Sequence, residues 1–270
     1  MTIRIWHQSY TDLTALPGYA QMLAEHAARI CGPDVDVVLH GVDPGTYPKG
    51  FMAVDVGGFE MVRTLIDQQI VRNCMRAEEQ GFDAVAISCF VDPGLDLARS
   101  LVDIPVVSSC QTSLLVSATM GTRFGMIGLD RNMADILTGL VDRYGFRDKV
   151  VRIASPEPPL RENELDAAFA DPAHILDRLT QEIAKLIAEG ADVIIPAEGV
   201  LNTLLVHGGV QRVQDVPVLD SYGALLSYAL MLVQLQETSG LRAGRTGHYA
   251  RPPAGLVRHV QRVSAQGWDT

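Results

Sequence analysis

The sequence predicts an α/β protein built of two similar halves with parallel sheets, and three observations carry that prediction. Helical patterns alternate with short, apolar, β-branched strands, the arrangement of a mostly parallel sheet covered on both faces. The length, 270 residues, is long for a single hydrophobic core and comfortable for two. An internal repeat supplies the third observation: "EEQGFDAVAISC" ends at Cys89 and "IAEGADVIIPAE" ends at Glu198. Gly81 matches Gly190, Asp83 matches Asp192, and each copy runs through an apolar strand to its terminal residue.

The elements follow in order. "IRIWH" (Ile3 to His7) is the first strand, continued by polar Gln8, Ser9 and Tyr10. A helix from Leu16 to Ile30 opens near Pro17 and is stopped by Gly32-Pro33. "VDVVLHGV" is a second strand, and the Gly- and Pro-rich stretch from Asp43 to Gly58 reads as a long loop of the kind that covers a site. A helix from about Glu60 to Gln80 leads into "AVAIS" and Cys89. Beyond each copy's site residue comes a further match, "VDIPVVSS" from Val102 against "QDVPVLDS" from Gln214. The offset is 109 residues at the glycines and 112 at this second match, so only a short insertion separates the copies. "RFGMIGLD" (Arg123 to Asp130) opens the second copy, opposite "IRIWHQSY". The organisation expected is a first half of residues 1–115 plus 225–270 and a second half of residues 116–224.

Composition narrows the function classes. Hydrophobic residues make up 47% and charged residues 20%, as in an ordinary globular protein. A formal charge of -10 argues against nucleic acid or an anionic membrane as partner and leaves a small-molecule substrate. The most apolar stretch, "ALLSYALMLVQL", is 12 residues long, too short to span a bilayer, and reads as a buried helix. No secretory signal is legible at the start, so a cytoplasmic location is expected, with Cys31, Cys74, Cys89 and Cys110 as reduced thiols. No C-x-x-C or H-x-x-x-H spacing points to a metal, and neither a G-x-G-x-x-G after a strand nor a phosphate-cradling loop points to a nucleotide. A metal site is therefore disfavoured, and the usual dinucleotide and phosphate-cradle signals are missing. "RAGRTGHYARPPAG" near the end reads as a surface or subunit-contact segment.

In parallel sheets, ligands bind beyond the carboxyl ends of the strands. That rule singles out Cys89 and Glu198, which a duplicated pair would set on opposite walls of one cleft. Asp92 and Pro93 read as the N-cap and first residue of a helix beside the thiol, a setting that would lower its pKa. Desolvation after an apolar strand would raise the Glu198 carboxyl toward acid–base use, and Gly199 allows close backbone approach. Gln8, Ser9, Ser88, Gln111, Thr112 and Ser113 fall at the same sheet edge. The substrate-binding set expected is Gln8, Ser9, Tyr47, Ser88, Phe90, Val91, Gln111, Gly199 and Val200. Cys31, Cys74 and Cys110 are read as structural.

At "AISCFVDPGL", "IPVVSSCQTS", "RFGMIGL" and "GADVIIPAEGVL" the chain resembles the Asp/Glu/hydantoin racemase superfamily, most of all its hydantoin-racemase-like branch, over about residues 1–235. The resemblance implies two Rossmann-like halves related by a pseudo-twofold, a site between them, no metal or cofactor, and a homo-oligomer. It also implies two acid/base groups on opposite faces of the substrate carbon, commonly a cysteine from each half. Cys89 fits the first position, but Glu198 stands at the second. Three chemistries stay open on this basis. A Cys89 thiolate could remove the C–H proton beside a carbonyl of a hydantoin- or amino-acid-like compound, with protonated Glu198 returning a proton to the other face. Cys89 could instead attack a cyclic imide, lactam or lactone with Glu198 as base, or protonate one face after decarboxylation. A non-catalytic small-molecule binding protein using the same cleft is the remaining reading.

Overall fold

The computed structural model describes residues 2–264 and contains two parallel sheets flanked by helices. The chain runs β1 (Ile3–Ser9), α1 (Pro17–Cys31), β2 (Val35–His40), α2 (Ala53–Val56), α3 (Glu60–Glu79), β3 (Ala84–Ser88), α4 (Leu95–Leu101), β4 (Val106–Ser108) and α5 (Ser109–Ser117). It continues through β5 (Phe124–Ile127), α6 (Arg131–Arg143), β6 (Val150–Ala154), α7 (Glu162–Ala168), α8 (Ala173–Ala188), β7 (Val193–Pro196) and α9 (Gly199–His207). A short antiparallel pair, β8 (Arg212–Val213) and β9 (Val216–Pro217), precedes α10 (Ser221–Ser239) and α11 (Leu256–Ser264). Among the described residues, no helix is long and apolar enough to cross a membrane.

The first sheet has the order β2-β1-β3-β4 and the second β6-β5-β7, extended beyond β7 by a parallel bridge from Ile194 to Val218. Both sheets therefore have the same order: second strand, first, third, then the Asp-x-Pro-Val segment. The strands are apolar because both faces are covered. Every residue of β3 and of β7 is buried. α10, the apolar helix anticipated from the sequence, packs against β3, β4, α1 and α5, with Leu225, Leu226, Ala229 and Val233 buried.

The repeat extends to individual hydrogen bonds. Gly81 and Gly190 both end a helix at positive φ, 72° and 98°, a backbone that favours glycine. The aspartate two residues later then receives a backbone amide at the start of its half's opening strand. Asp83 Oδ2 accepts from Arg4 N at 2.7 Å, and Asp192 Oδ1 accepts from Arg123 N at 2.7 Å. The serine ending each Asp-x-Pro-Val match ties back to the site strand. Ser109 Oγ donates to Ile87 O at 3.3 Å and Ser221 Oγ to Pro196 O at 3.1 Å, each two residues before Cys89 or Glu198.

Two sequence expectations are corrected. The stretch from Asp43 to Gly58 is not all loop, because it contains the single helical turn α2. Asp92 does not cap the helix that follows it. It sits at φ 46°, and Gly94, in the left-handed region at φ 62°, is the residue before α4. The Asp92 carboxylate instead caps α5, accepting from Cys110 N at 2.8 Å and Gln111 N at 2.9 Å, from Ser108 Oγ at 2.6 Å, and from Tyr144 Oη of the second half at 2.7 Å. Sequence proximity suggested the nearer helix, whereas the parallel sheet brings the start of α5 alongside the end of β3.

These carboxylates differ in burial, which sets the cost of losing them. Asp92→Ala strands four donors in the interior and is expected to destabilise the protein by about 3 kcal/mol. Asp192→Ala removes a partly exposed acceptor of the Thr122 and Arg123 amides and is expected to cost about 1 kcal/mol. Urea denaturation of both variants checks the size and the order.

Candidate active site

Equivalent strand ends from the two halves meet around one cavity, which holds about 620 Å3 with its mouth included. The end of β1 supplies Ser9, Tyr10 and Thr11, and after β5 come Asp130, Asn132 and Met133. The end of β3 supplies Ser88, Cys89, Phe90 and Val91, and the end of β7 supplies Glu198 and Gly199. The segments following the second strands meet as well, Ala53, Val54 and Gly57 from around α2 and Glu162 from the start of α7. Tyr19 of α1, Arg63 of α3 and Ile136 of α6 complete the lining. Pairing of β1 with β3 puts Ser9 beside Ser88.

Glu198 is buried, 8% exposed, at the N-cap of α9. Its Oε2 accepts from Leu201 N at 2.7 Å, and the amides of Gly199 and Val200 also favour its charged form. Burial works the other way and leaves the carboxyl above its ordinary value. Gly199 is required by close approach: a Cβ there would lie 2.5 Å from Tyr19 Oη and 3.9 Å from Ser88 O. Tyr19 is buried, with its phenol pushed well above its usual range by burial and by Glu198, and it hydrogen-bonds Ser88.

Cys89 departs from expectation. Its thiol is pushed well above the usual value, by burial first and then by the negative charges of Asp92, Glu198 and Asp67. The Val91 amide favours the thiolate but does not offset these. Asp92, anticipated as the cap of a helix beside the thiol, turns toward α5 and acts on the sulfur as a negative charge instead.

Of the expected binding set, Ser9, Ser88, Phe90, Val91 and Gly199 line the cavity with Cys89 and Glu198. The other four lie outside the lining. Gln8 is fully buried, accepting from Trp6 Nε1 and Asn73 Nδ2 and donating to Ser9 O and Gly41 O, and so ties β1 to its neighbours. Tyr47 donates to Tyr10 O at 2.5 Å, and α2 covers the cavity in its place. Gln111 accepts from Arg99 at 2.8 Å, and Val200 is part of the apolar core. Thr112 and Ser113 are buried within α5.

The residue sequence reasoning missed is Glu162. It is 3% exposed, and its oxygens accept from Thr11 Oγ1 at 3.4 Å and Val54 N at 3.3 Å. Burial, and after it the charge of Glu198, pushes its carboxyl up to about 8. In sequence it looks like any acidic residue in a first helical turn, and no local signal separates it from Glu164 two residues later. Arg63 is the arginine of the lining, and its guanidinium is engaged by Glu60.

Comparison with known proteins bears on this arrangement. A family model described as Asp/Glu/Hydantoin racemase matches residues 18–229. A hydantoin racemase from Rhizobium meliloti is 30% identical over 177 residues, 66% of this chain and 69% of that protein. Another from Pseudomonas sp. (strain NS671) is 28% identical over 175 residues, 64% of this chain and 68% of that protein. Among solved structures, the allantoin racemase from Klebsiella pneumoniae superposes with a TM-score of 0.77 at 19% identity, covering 93% of this chain and 94% of that one. The allantoin racemase from Pseudomonas fluorescens gives 0.73 at 21% identity, covering 93% and 97%. These structures share the fold, and the family match takes in every strand but β1, including the strand ends that carry Cys89 and Glu198. The chain belongs to the Asp/Glu/hydantoin racemase family.

Proposed function

We propose that the protein is a cofactor-independent racemase of a small hydantoin-like carbonyl compound, acting by proton transfer between Cys89 and Glu198. The observation that carries this reading is the meeting of the two residues, from equivalent strand ends of opposite halves, in one cavity with unequal electrostatic settings.

Those settings define the resting form. Three backbone amides favour the Glu198 carboxylate, whereas burial and three negative neighbours keep Cys89 a thiol. The roles are the reverse of those expected from the sequence: the Glu198 carboxylate removes the proton from the carbon beside the carbonyl, and the electron pair passes into an enolate. The Cys89 S–H then delivers its proton to the opposite face of that carbon. The inverted product leaves behind a thiolate and a carboxylic acid, the form that takes the other enantiomer. Proton exchange with solvent restores the resting pair. The ring carbonyls of a hydantoin suit a carboxylate base because they acidify the C–H. The raised thiol disfavours the alternative in which Cys89 is a nucleophile toward a cyclic imide or lactone, since the thiolate is the attacking species.

Proton NMR in D2O with 5-substituted hydantoins is the direct test. Deuterium is expected at ring carbon 5 with the ring intact, accompanied by loss of optical rotation. Ring opening without deuterium incorporation would put Cys89 in the nucleophile's role and overturn the racemase reading. Cys89→Ser and Glu198→Gln are each expected to lower exchange by about 100-fold to 10,000-fold with the thermal melt retained. The pH dependence has a definite sign. The base is the Glu198 carboxylate, so exchange falls as pH drops through a pKa raised above 4.5. An acid limb at or below 4.5 would contradict the buried setting of Glu198.

A further inference from the structure

We infer that Glu162 is a third functional group of this site, whose carboxyl O–H donates a hydrogen bond to the substrate carbonyl oxygen on which charge develops as the C–H proton leaves. The inference rests on the racemase reading for the identity of that oxygen, and on the geometry of Glu162 for the donor.

Glu162 lines the same cavity as Cys89 and Glu198 and is almost wholly buried. Both of its contacts are long, 3.4 Å to the Thr11 hydroxyl and 3.3 Å to the Val54 amide, so neither oxygen is fully satisfied within the protein. Among the described residues no cation pairs with it. The adjacent Arg161 turns to Asp55 at 2.6 Å, and Arg63 is held by Glu60. A buried carboxyl with no cation and weak donors is more stable with its proton, and Glu162 accordingly keeps its proton up to about pH 8.

The groups facing it sharpen this state. Glu198 at the start of α9 and Asp55 of α2 both disfavour a second negative charge. From the neighbouring elements, Tyr47 and Tyr19 present phenols that burial keeps protonated, and Cys89 remains a thiol. A protonated Glu162 needs an acceptor for its O–H, and the Thr11 oxygen at 3.4 Å is a poor one. Tyr10 lines the same cavity, and its hydroxyl is buried without a partner. A wall of neutral donors complements a carbonyl oxygen, and gains strength as that oxygen takes on enolate charge.

The test combines a spectroscopic readout with two variants. Infrared difference spectra of wild type against Glu162→Gln should show a protonated carboxyl band at pH 7 that is lost through about pH 8. Succinimide, a neutral ring imide with no stereocentre, should shift this band to lower frequency. With 5-methylhydantoin, Glu162→Gln keeps a donor and cannot ionise. It should exchange more slowly than wild type but about tenfold faster than Glu162→Ala, and lose the decline above pH 8. Glu162→Ala should lose about 100-fold, mainly in kcat. A carboxylate at pH 7, a band unmoved by succinimide, or Glu162→Ala within about threefold of wild type would each overturn the assignment. If wild type exchanges no hydantoin, the racemase reading fails on its own. The band and its response to succinimide still decide the role of Glu162.

Discussion

The buried Glu198 carboxyl, which forms no ion pair among the described residues, is the constraint around which this structure is arranged. Glu198 lies at the end of an apolar strand, and its compensation comes from the first amides of α9. Such a site has capacity for about one negative charge, because a second would be desolvated and repelled together. The rest of the cavity follows from that limit. Burial first, with the charge of Glu198 adding to it, drives Cys89 and Glu162 toward their neutral forms and keeps Tyr19 a phenol. Gly199 is side-chain-free so that the Tyr19 hydroxyl can pack against the start of α9.

Duplication explains how the backbone brings these groups together, and divergence explains why they differ. Each half ends its site strand in the same framework. An aspartate after a glycine receives the opening strand, and a serine ties back to the carbonyl two residues before the site. The segments that follow the second strand of each half also clasp each other across the cavity, through Val54 N to Glu162 and Asp55 to Arg161. The side chains break the symmetry. One strand end carries a thiol in an anionic neighbourhood, and the other a carboxylate at a helix start.

The features legible in sequence were those that local chemistry repeats. Gly-x-Asp before each strand, the apolar run and the residue that ends it located both halves, Cys89 and Glu198. What was not legible depended on contacts between elements distant in the chain. Asp92 precedes a proline and resembles an N-cap for α4, yet the sheet sets it against the start of α5. Gln8 and Gln111 lie near strand ends, but neighbouring donors absorb their side chains before they reach the cavity. Glu162 owes its environment to Thr11, Val54 and Glu198, none of them close to it in sequence.

The unequal pair also sets what the third acid must do. A thiol and a carboxyl begin about four to five pKa units apart, and here burial raises both, so the gap is not closed from the protein side. A carboxylate can remove a C–H proton only if the carbon acid is itself made stronger. On the proposed mechanism that is the task of a donor at the carbonyl oxygen, since stabilising the enolate lowers the pKa of the C–H without altering either proton-transfer group. The same donor makes the carbanion less basic, so it must not be so strong that the raised Cys89 thiol can no longer protonate it. A neutral carboxyl meets both requirements better than a cation would. An arginine or lysine in its place would pull negative charge toward the oxygen and also ease ionisation of Cys89, removing the proton that the opposite face needs.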